Sequence, residues 1–305
     1  MNFKMNTITK YFLIFIFLSV AFSIKSEAQK EDSHLDIADE YFSTKKYLKA
    51  SIEYERVLYN NNNDPNLSNT AHYKKALCYR FLKRNEDALS ELDRISLFHA
   101  DDTFKNKIHY EKSFNLLLQN KPQEALLQIN KINLNSLSSN SKKNIIPLKI
   151  LVLNKSREWD KAEKTFSGWI NSLNLTQEEK KQWIDTLKTI YTEKNLPKDY
   201  SAEKAHNLSR FIPGAGQIYT GHIWEGAGSF IFNAAAIGAG IHQVWNGFYF
   251  TGYIGGFGIF YKSYFGGMER ASNLAKKKKD IEMTEFNNDC AKIISQILGG
   301  NNSFE

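Results

Sequence analysis

The side chains able to do chemistry in this chain are few and do not gather into a recognised catalytic pattern. His34, His72, His99 and His109 share no metal-ligand spacing. Cys78 and Cys290 stand alone, so neither a zinc-type pair nor a redox pair is present, and Cys78 falls where a helix buries a small apolar residue. No acid/base pair or activated nucleophile is visible, which argues against an enzyme and implies no cofactor. Gly214-Ala215-Gly216 has the glycine spacing of a phosphate loop, but the lysine and the preceding strand are missing. The remaining polar candidates are Asn233, His242, Gln243 and Lys262. All four lie in an apolar setting where a polar group is costly and so usually functional.

That setting is a 51-residue stretch from Phe211 to Tyr261 with one formally charged residue, Glu225, in a chain that is 24% charged overall. It holds 12 of the 17 glycines. Residues 226–245 supply about the ~20 residues of a membrane-crossing helix, Asn246-Gly247 a turn, and residues 248–265 a shorter second span. Ala234 with Gly238, Ala236 with Gly240, and Gly252 with Gly256 have the four-residue spacing that lets membrane helices approach closely. Trp224, Trp245, Tyr261 and Tyr264 sit where interface aromatics belong. Lys262 is placed to snorkel to the headgroups, and Asn233, deep in the first span, to bond between helices.

The stretch opens with Pro213, Gly214, Gly216, Gln217, Tyr219 and Gly221. In this it resembles small bacterial two-helix membrane domains with a Pro-Gly-x-Gly-Gln-x-Tyr-x-Gly signature. The resemblance covers about 60 residues and implies a membrane hairpin without a settled activity. Physically, the glycines permit a tight non-helical approach, and Gln217 is placed to satisfy exposed backbone groups.

Upstream, proline and glycine nearly vanish. Ala50, Ala88, Ala125 and Ala162 recur at intervals of 38, 37 and 37. Four residues after each come Tyr54, Leu92, Ile129 and Phe166, and seven after, Val57, Ile95, Ile132 and Trp169. These offsets share one helical face, and alanine suits a close helix crossing. Polar linkers precede each alanine, so each unit is helix, tight turn, helix. Tyr41, Tyr79, Leu116 and Leu153 stand some nine residues upstream. The array resembles the tetratricopeptide repeat family, best in Ala38, Tyr41, Tyr47, Ala50 and Tyr54; Ser113 and Ile150 replace the small first-helix residue in the last two units. That resemblance implies a protein or peptide partner. Thr176 to Glu179 forms a capping box for a closing helix.

The start of the chain has Lys4 and Lys10, an apolar run from 11 to 24, and Ser26-Glu27-Ala28, the pattern of a signal peptide. The net charge is +7, and the one dense basic cluster, Lys276 to Lys279, follows the apolar stretch, where it suits lipid headgroups better than nucleic acid. The expectation is therefore all-α: a signal peptide over 1–28, a solenoid of helical-hairpin repeats over 31–195, a two-helix transmembrane hairpin over 196–270 and a basic tail over 271–305. Basic flanks favour a cytoplasmic placement, but long domains translocate largely regardless of charge, so the repeats are expected to face the periplasm or exterior from the inner membrane. The expected function is an envelope scaffold. The alternative is a transport or channel component in which hairpins form a homo-oligomer around Asn233.

Overall fold

The computed structural model describes residues 34–60, 64–98, 100–134, 137 and 139–299. The expected signal peptide and His99 lie outside the described residues. Among those residues every regular element is helical and no strand occurs. The chain divides into two compact units, Met1–Glu158 and Trp159–Glu305.

The first unit is a succession of antiparallel hairpins: α1 (34–43), α2 (Tyr47–Asn60), α3 (Pro65–Phe81), α4 (Asn85–Asp93), α5 (Asp102–Leu118), α6 (Pro122–Ile129) and α7 (Ser139–Lys155). Its period is written into the backbone as well as the side chains. The non-glycine residues with positive φ are Lys45, Lys83, Asn120 and Arg157, at 58°, 59°, 58° and 61°. Each stands five residues before one of the four alanines. Each ends a helix in the left-handed conformation that frees the chain to turn back. The next residue's N–H then reaches back to the carbonyl of Tyr41, Tyr79, Leu116 or Leu153, at 2.8, 2.9, 2.9 and 3.0 Å. The large residues upstream of the alanines thus mark where each first helix is capped.

The alanines Ala50, Ala88 and Ala125 are fully buried, with Tyr54, Leu92 and Ile129 behind them. Ser113 takes the small-residue position of the third unit and donates from Oγ to the Ala125 carbonyl at 3.0 Å. Two further contacts keep the same phase. His34, His72 and His109 bond through Nδ1 to Glu53, Glu91 and Gln128, each 19 residues on, at 3.1, 2.7 and 3.1 Å. Asn69 and Asn106 accept from the N–H of Ser96 and Asn133, each 27 residues on, at 3.0 and 3.3 Å.

The second unit contains α8 (Trp159–Ser172), α9 (Gln177–Ile190), α10 (Ala202–Phe211), α11 (Ala215–Tyr219), α12 (Ile223–Trp245), α13 (Tyr249–Thr251), a π-helical segment (Gly252–Gly258) and α14 (Ile259–Ile297). The fourth alanine, Ala162, is fully buried on α8. The capping box forms at α9: Thr176 Oγ1 accepts from Glu179 N–H at 3.2 Å and Glu179 Oε2 accepts from Thr176 N–H at 2.8 Å. Helix α14 runs for 39 residues, about 58 Å. Residues 271–297 therefore continue the helix that begins at Ile259. Its buried stripe includes Ala271, Leu274, Ala275, Phe286 and Ile294. Phe286 meets Trp159 and Tyr191 edge-on, at ring separations of 5.3 and 5.6 Å. Two lysines of the basic cluster are ion-paired, Lys279 with Asp199 at 2.8 Å and Lys278 with Glu282 at 3.7 Å.

The expected pair of spans takes a different form. Among the described residues no helix is long and apolar enough to cross a membrane. Helix α12 has 23 residues, but Glu225, Asn233, His242 and Gln243 and several glycines dilute its apolar character. The second arm is broken, because Gly252, Gly255, Gly256 and Gly258 fall together. Each glycine costs a helix about 1 kcal/mol relative to alanine, and the segment relaxes to the wider π winding.

Candidate functional site

The signature residues Pro213 to Gly221 form the junction at which α10, α11, α12 and α14 meet. Gly214 adopts φ 93°, and a Cβ there would lie 2.0 Å from the Gly226 carbonyl oxygen. Glycine is required twice over, by conformation and by space. At Gly216 a Cβ would lie 2.0 Å from the Ala205 carbonyl oxygen, so α10 and α11 touch backbone to backbone. The Gly216 N–H donates to Ser209 Oγ at 3.0 Å, and Ser209 donates to Gln217 Oε1 at 3.1 Å. Gln217 Nε2 donates to the Gly267 carbonyl at 3.1 Å. Gln217 is 2% exposed, and its side chain is bonded at both ends. One buried amide therefore ties α10 and α11 to α14. Tyr219 completes the junction: its ring stacks edge-on against Tyr200 at 5.6 Å, and its hydroxyl accepts from the Ser201 N–H at 3.3 Å. Gly221 sits at φ 90° and turns the chain into α12.

The arms of the hairpin meet along a narrow stripe. On α12 the buried residues are Gly226, Asn233 and Gly240, seven residues apart. On the return arm they include Gly252, Gly256 and Met268. At the crossing a Cβ on Gly256 would stand 2.1 Å from the Gly240 Cα. Gly240, Gly252 and Gly256 are thus brought together, with Ala236 beside them through its carbonyl. Gly238 has nothing within 4 Å of where its Cβ would be, so the Ala234–Gly238 pair takes no part.

Outside this stripe the hairpin bares large apolar side chains. Trp224 is 89% exposed and Trp245 87%; Phe230, Ile231, Phe232, Ile241, Phe250 and Ile254 are also exposed. The polar groups of α12 are handled separately. Glu225 pairs with Arg270 at 2.8 Å. His242 bonds with Asn246 at the turn. Asn233 is 1% exposed on the seam, yet it does not bond between helices as expected. Its Nδ2 donates to the Ser229 carbonyl of its own helix at 2.7 Å, and its Oδ1 has no partner. A bond to the carbonyl one turn back needs no second helix. Lys262 is exposed on α14.

No family model, curated protein or solved structure matches the chain. What it does must be read from its own residues.

A third feature was not foreseen from the sequence. Helices α3, α5 and α7 border a cavity of about 230 Å³, with Tyr73, Asn106, Lys107, Tyr110, Glu111 and Ile145 among its walls. Glu111 is buried, 3.1 Å from Arg80 Nη1 through either carboxylate oxygen, but only Oε1 has hydrogen-bond geometry. Burial pushes its carboxyl up to about 7, with Arg80 pulling the other way. Burial likewise pushes the Tyr73 hydroxyl up to about 12. The guanidinium of Arg80 lies over the rings of Phe81 and Phe114, at 4.7 and 5.3 Å, and is fixed there. The sequence signal for this site was faint: three successive first helices contribute, and no spacing joins them.

Proposed function

We propose that the chain is a membrane-anchored scaffold of the cell envelope, whose helical hairpins bind a protein or peptide partner and whose glycine-rich hairpin is seated in lipid. The carrying observation is the hairpin's arrangement: glycine backbones sealed against each other inside, and Trp, Phe and Ile side chains outside. Contiguous apolar surface on this scale is costly in water and marks an interaction site. A helix pair joined by small residues and coated with large apolar ones suits hydrocarbon, where packing and not the hydrophobic effect holds helices together. With Asn233 turned inward, the middle of the outer face of α12 is largely apolar, and the exposed polar groups Glu225, His242 and Gln243 lie toward its two ends. At 23 residues α12 is about 35 Å long, against roughly 30 Å of hydrocarbon.

Resemblance to the two-helix membrane domains and to tetratricopeptide repeats supports the same assignment of roles. So does the recurrence of turn, alanine, histidine and asparagine at one period in the first unit. On this reading the solenoid presents the partner surface, and the signal peptide places it on the periplasmic or exterior side.

The transport alternative, a homo-oligomer of hairpins around Asn233, would need the seam to open before a neighbouring hairpin could reach the unpartnered Oδ1 of Asn233, which is 1% exposed. The size of the detergent-solubilised particle separates the two readings: a monomer or a one-to-one complex fits a scaffold, and a homo-oligomeric ring fits transport.

The anchor is tested by washing membranes with alkaline carbonate. The full chain should stay in the pellet and come out with detergent; complete release by carbonate sinks the anchor. Ser201→Cys and Ser272→Cys, in a chain lacking Cys78 and Cys290, should label equally with an impermeant thiol reagent in spheroplasts. Labelling of neither would place the repeats in the cytoplasm.

A further inference from the structure

We propose that the glycine-rich hairpin is seated in one leaflet of a bilayer and does not cross it, with Arg210 and Lys262 at the headgroup phosphates and the turn Asn246-Gly247 near the midplane. This deepens the reading of the hairpin as a lipid anchor and rests on it.

The first ground is the register of the two arms. Gly252 packs against Val244, Gly256 against Gly240, Gly267 lies beside Ser229, and Arg270 pairs with Glu225. The arms therefore run past each other residue for residue, and the exposed Lys262 stands level with Ala234, halfway along α12. Tyr264, two residues on, donates from its hydroxyl to the Arg210 carbonyl at 2.5 Å. That bond holds the end of α10 against the same stretch of α14, with Arg210, Phe211 and Ile212 exposed. Two cations thus flank the hairpin at mid-height.

The second ground is length. From Ala234 to the end of α12 at Trp245 the rise is about 17 Å. One leaflet supplies about 15 Å of hydrocarbon and the whole bilayer about 30 Å. Helix α12 taken alone is long enough to cross, but it does not enter alone. A crossing would carry Lys262 and the tip of α10 about 13 Å below the boundary, close to the midplane, where a cation is most costly. At the depth of one leaflet both cations meet phosphates instead. Tyr261 then lies at the boundary, where its ring faces hydrocarbon and its hydroxyl the headgroups.

The third ground is what lies beyond that level. Residues 235–261 contain no Asp, Glu, Lys or Arg. The polar side chains of the tip bond within the tip. Asn246 Nδ2 lies 3.1 Å from His242 Nε2 and donates to the His242 carbonyl at 2.9 Å. Thr251 Oγ1 donates to the Phe248 carbonyl at 3.1 Å and lies 3.5 Å from Gln243 Oε1. Such internal bonds stand in for water, which hydrocarbon does not supply. Phe248 and Phe250 are exposed around them.

The test reads depth along α12. The full chain, lacking Cys78 and Cys290, is reconstituted into vesicles of equimolar phosphatidylcholine and phosphatidylglycerol. Ile231→Cys, Ala235→Cys, Ala239→Cys and Asn246→Cys, all at exposed positions, each carry a nitroxide. Depth is the ratio of its collisions with oxygen to those with a nickel chelate. It should increase without interruption from Ile231→Cys to Asn246→Cys. An impermeant thiol reagent should fail to reach Asn246→Cys from either face of the vesicle. A profile that peaks near Ala235→Cys and falls again toward Asn246→Cys, with the turn labelled from the far face, shows a crossing and overturns the proposal. A water-like profile in protein that resists alkaline carbonate overturns it as well, because another chain then covers the hairpin. A water-like profile with release by carbonate sinks the anchor itself.

Lys262→Leu combined with Arg210→Leu removes the two cations. Ile231→Cys should then move inward to the depth of Ala235→Cys. Lys276→Leu, about 21 Å further out along α14, should leave every label where it was. No movement on losing both cations overturns their role as the depth limit. The profile with both cations present decides between one leaflet and a crossing even if the double variant fails to fold.

Discussion

The repeat hairpins and the glycine hairpin solve the same problem with different residues. Both must bring antiparallel helices close. In the first unit alanine is small enough: Ala50, Ala88 and Ala125 are fully buried. In the glycine hairpin even a Cβ is too much, since one on Gly256 would meet the Gly240 backbone at 2.1 Å. The difference follows from what each buries. In the repeats Tyr54, Leu92 and Ile129 are buried behind the alanine, so a moderate approach suffices. In the hairpin Trp224, Trp245 and Phe250 stay exposed, so the arms are held by close backbone contact. The comparison predicts that steric changes are least tolerated at the glycine crossing.

Gly256→Leu is the harshest test. Its side chain would enter backbone atoms that cannot rotate away, so the arms must separate. Cost at or above the ~1–3 kcal/mol usual for overpacking is expected, read as early melting in detergent and new protease cleavage near the turn at Asn246. Tolerance of leucine there would mean that the arms are not packed as described.

Glu111 comes next, and its effect is on pH dependence. With the folded carboxyl near 7 against an ordinary 4.5, the folded state holds the proton more tightly. The resulting stability is present in full below about pH 4.5 and is lost as pH rises through 7. Up to about 3 kcal/mol is involved. Glu91 works in the opposite direction. Burial raises its carboxyl, but His72, Lys75 and Arg94 outweigh that and hold it below the ordinary value. Its share is therefore present above that value and lost as pH falls. The readout is the difference between the natural chain and Glu111→Gln in hydrogen-exchange protection of α5 from pH 5 to 8. Parallel pH curves would show that Glu111 is ordinary.

Ala125→Leu should cost about 1–3 kcal/mol, less than the glycine change, because side chains and not backbone must yield. Thermal melting of the full chain measures it. If Ala125→Leu proves the more damaging of the two, the contrast between the regions is wrong.

How much of this was legible depends on how local the cause is. The repeat phase was visible because a helix crossing imposes small and large residues at fixed offsets from one alanine. The histidines and asparagines share that phase, but the histidine spacing alone speaks only against a metal site, and their register shows only when they are set against the alanines. In the signature, Gly214 and Gly216 were readable as sites of close approach. That Gln217 reaches Gly267, 50 residues away, was not, because a bond across a helix crossing leaves no mark in spacing. The lysine run at 276–279 hid a helical stripe, Ala271, Leu274, Ala275 and Phe286, that the sequence does contain. The cavity was beyond reach, since it exists only when three helices are in place.

The smallest expected effect is also the most direct test of the repeat period. Lys83 holds φ 59° at the turn between α3 and α4. For an L-residue with a Cβ, the left-handed region costs roughly 1–2 kcal/mol, and glycine is free of that strain. Glycine also loses more backbone entropy on folding, which returns part of the gain. Lys83→Gly should therefore stabilise by something under ~1 kcal/mol, and Lys83→Val should destabilise, since a branched side chain tolerates positive φ least. The same pair of changes at Lys45 and Arg157 should give the same signs, and Asn120→Gly should give the smallest gain, since asparagine already tolerates this region. Melting temperatures of these variants measure the pattern directly. Uniform signs across the four turns would tie the period to one backbone device, whereas a glycine that destabilises at Lys83 but not at Lys45 would mean that the turns are not equivalent and that the period belongs to the alanines alone.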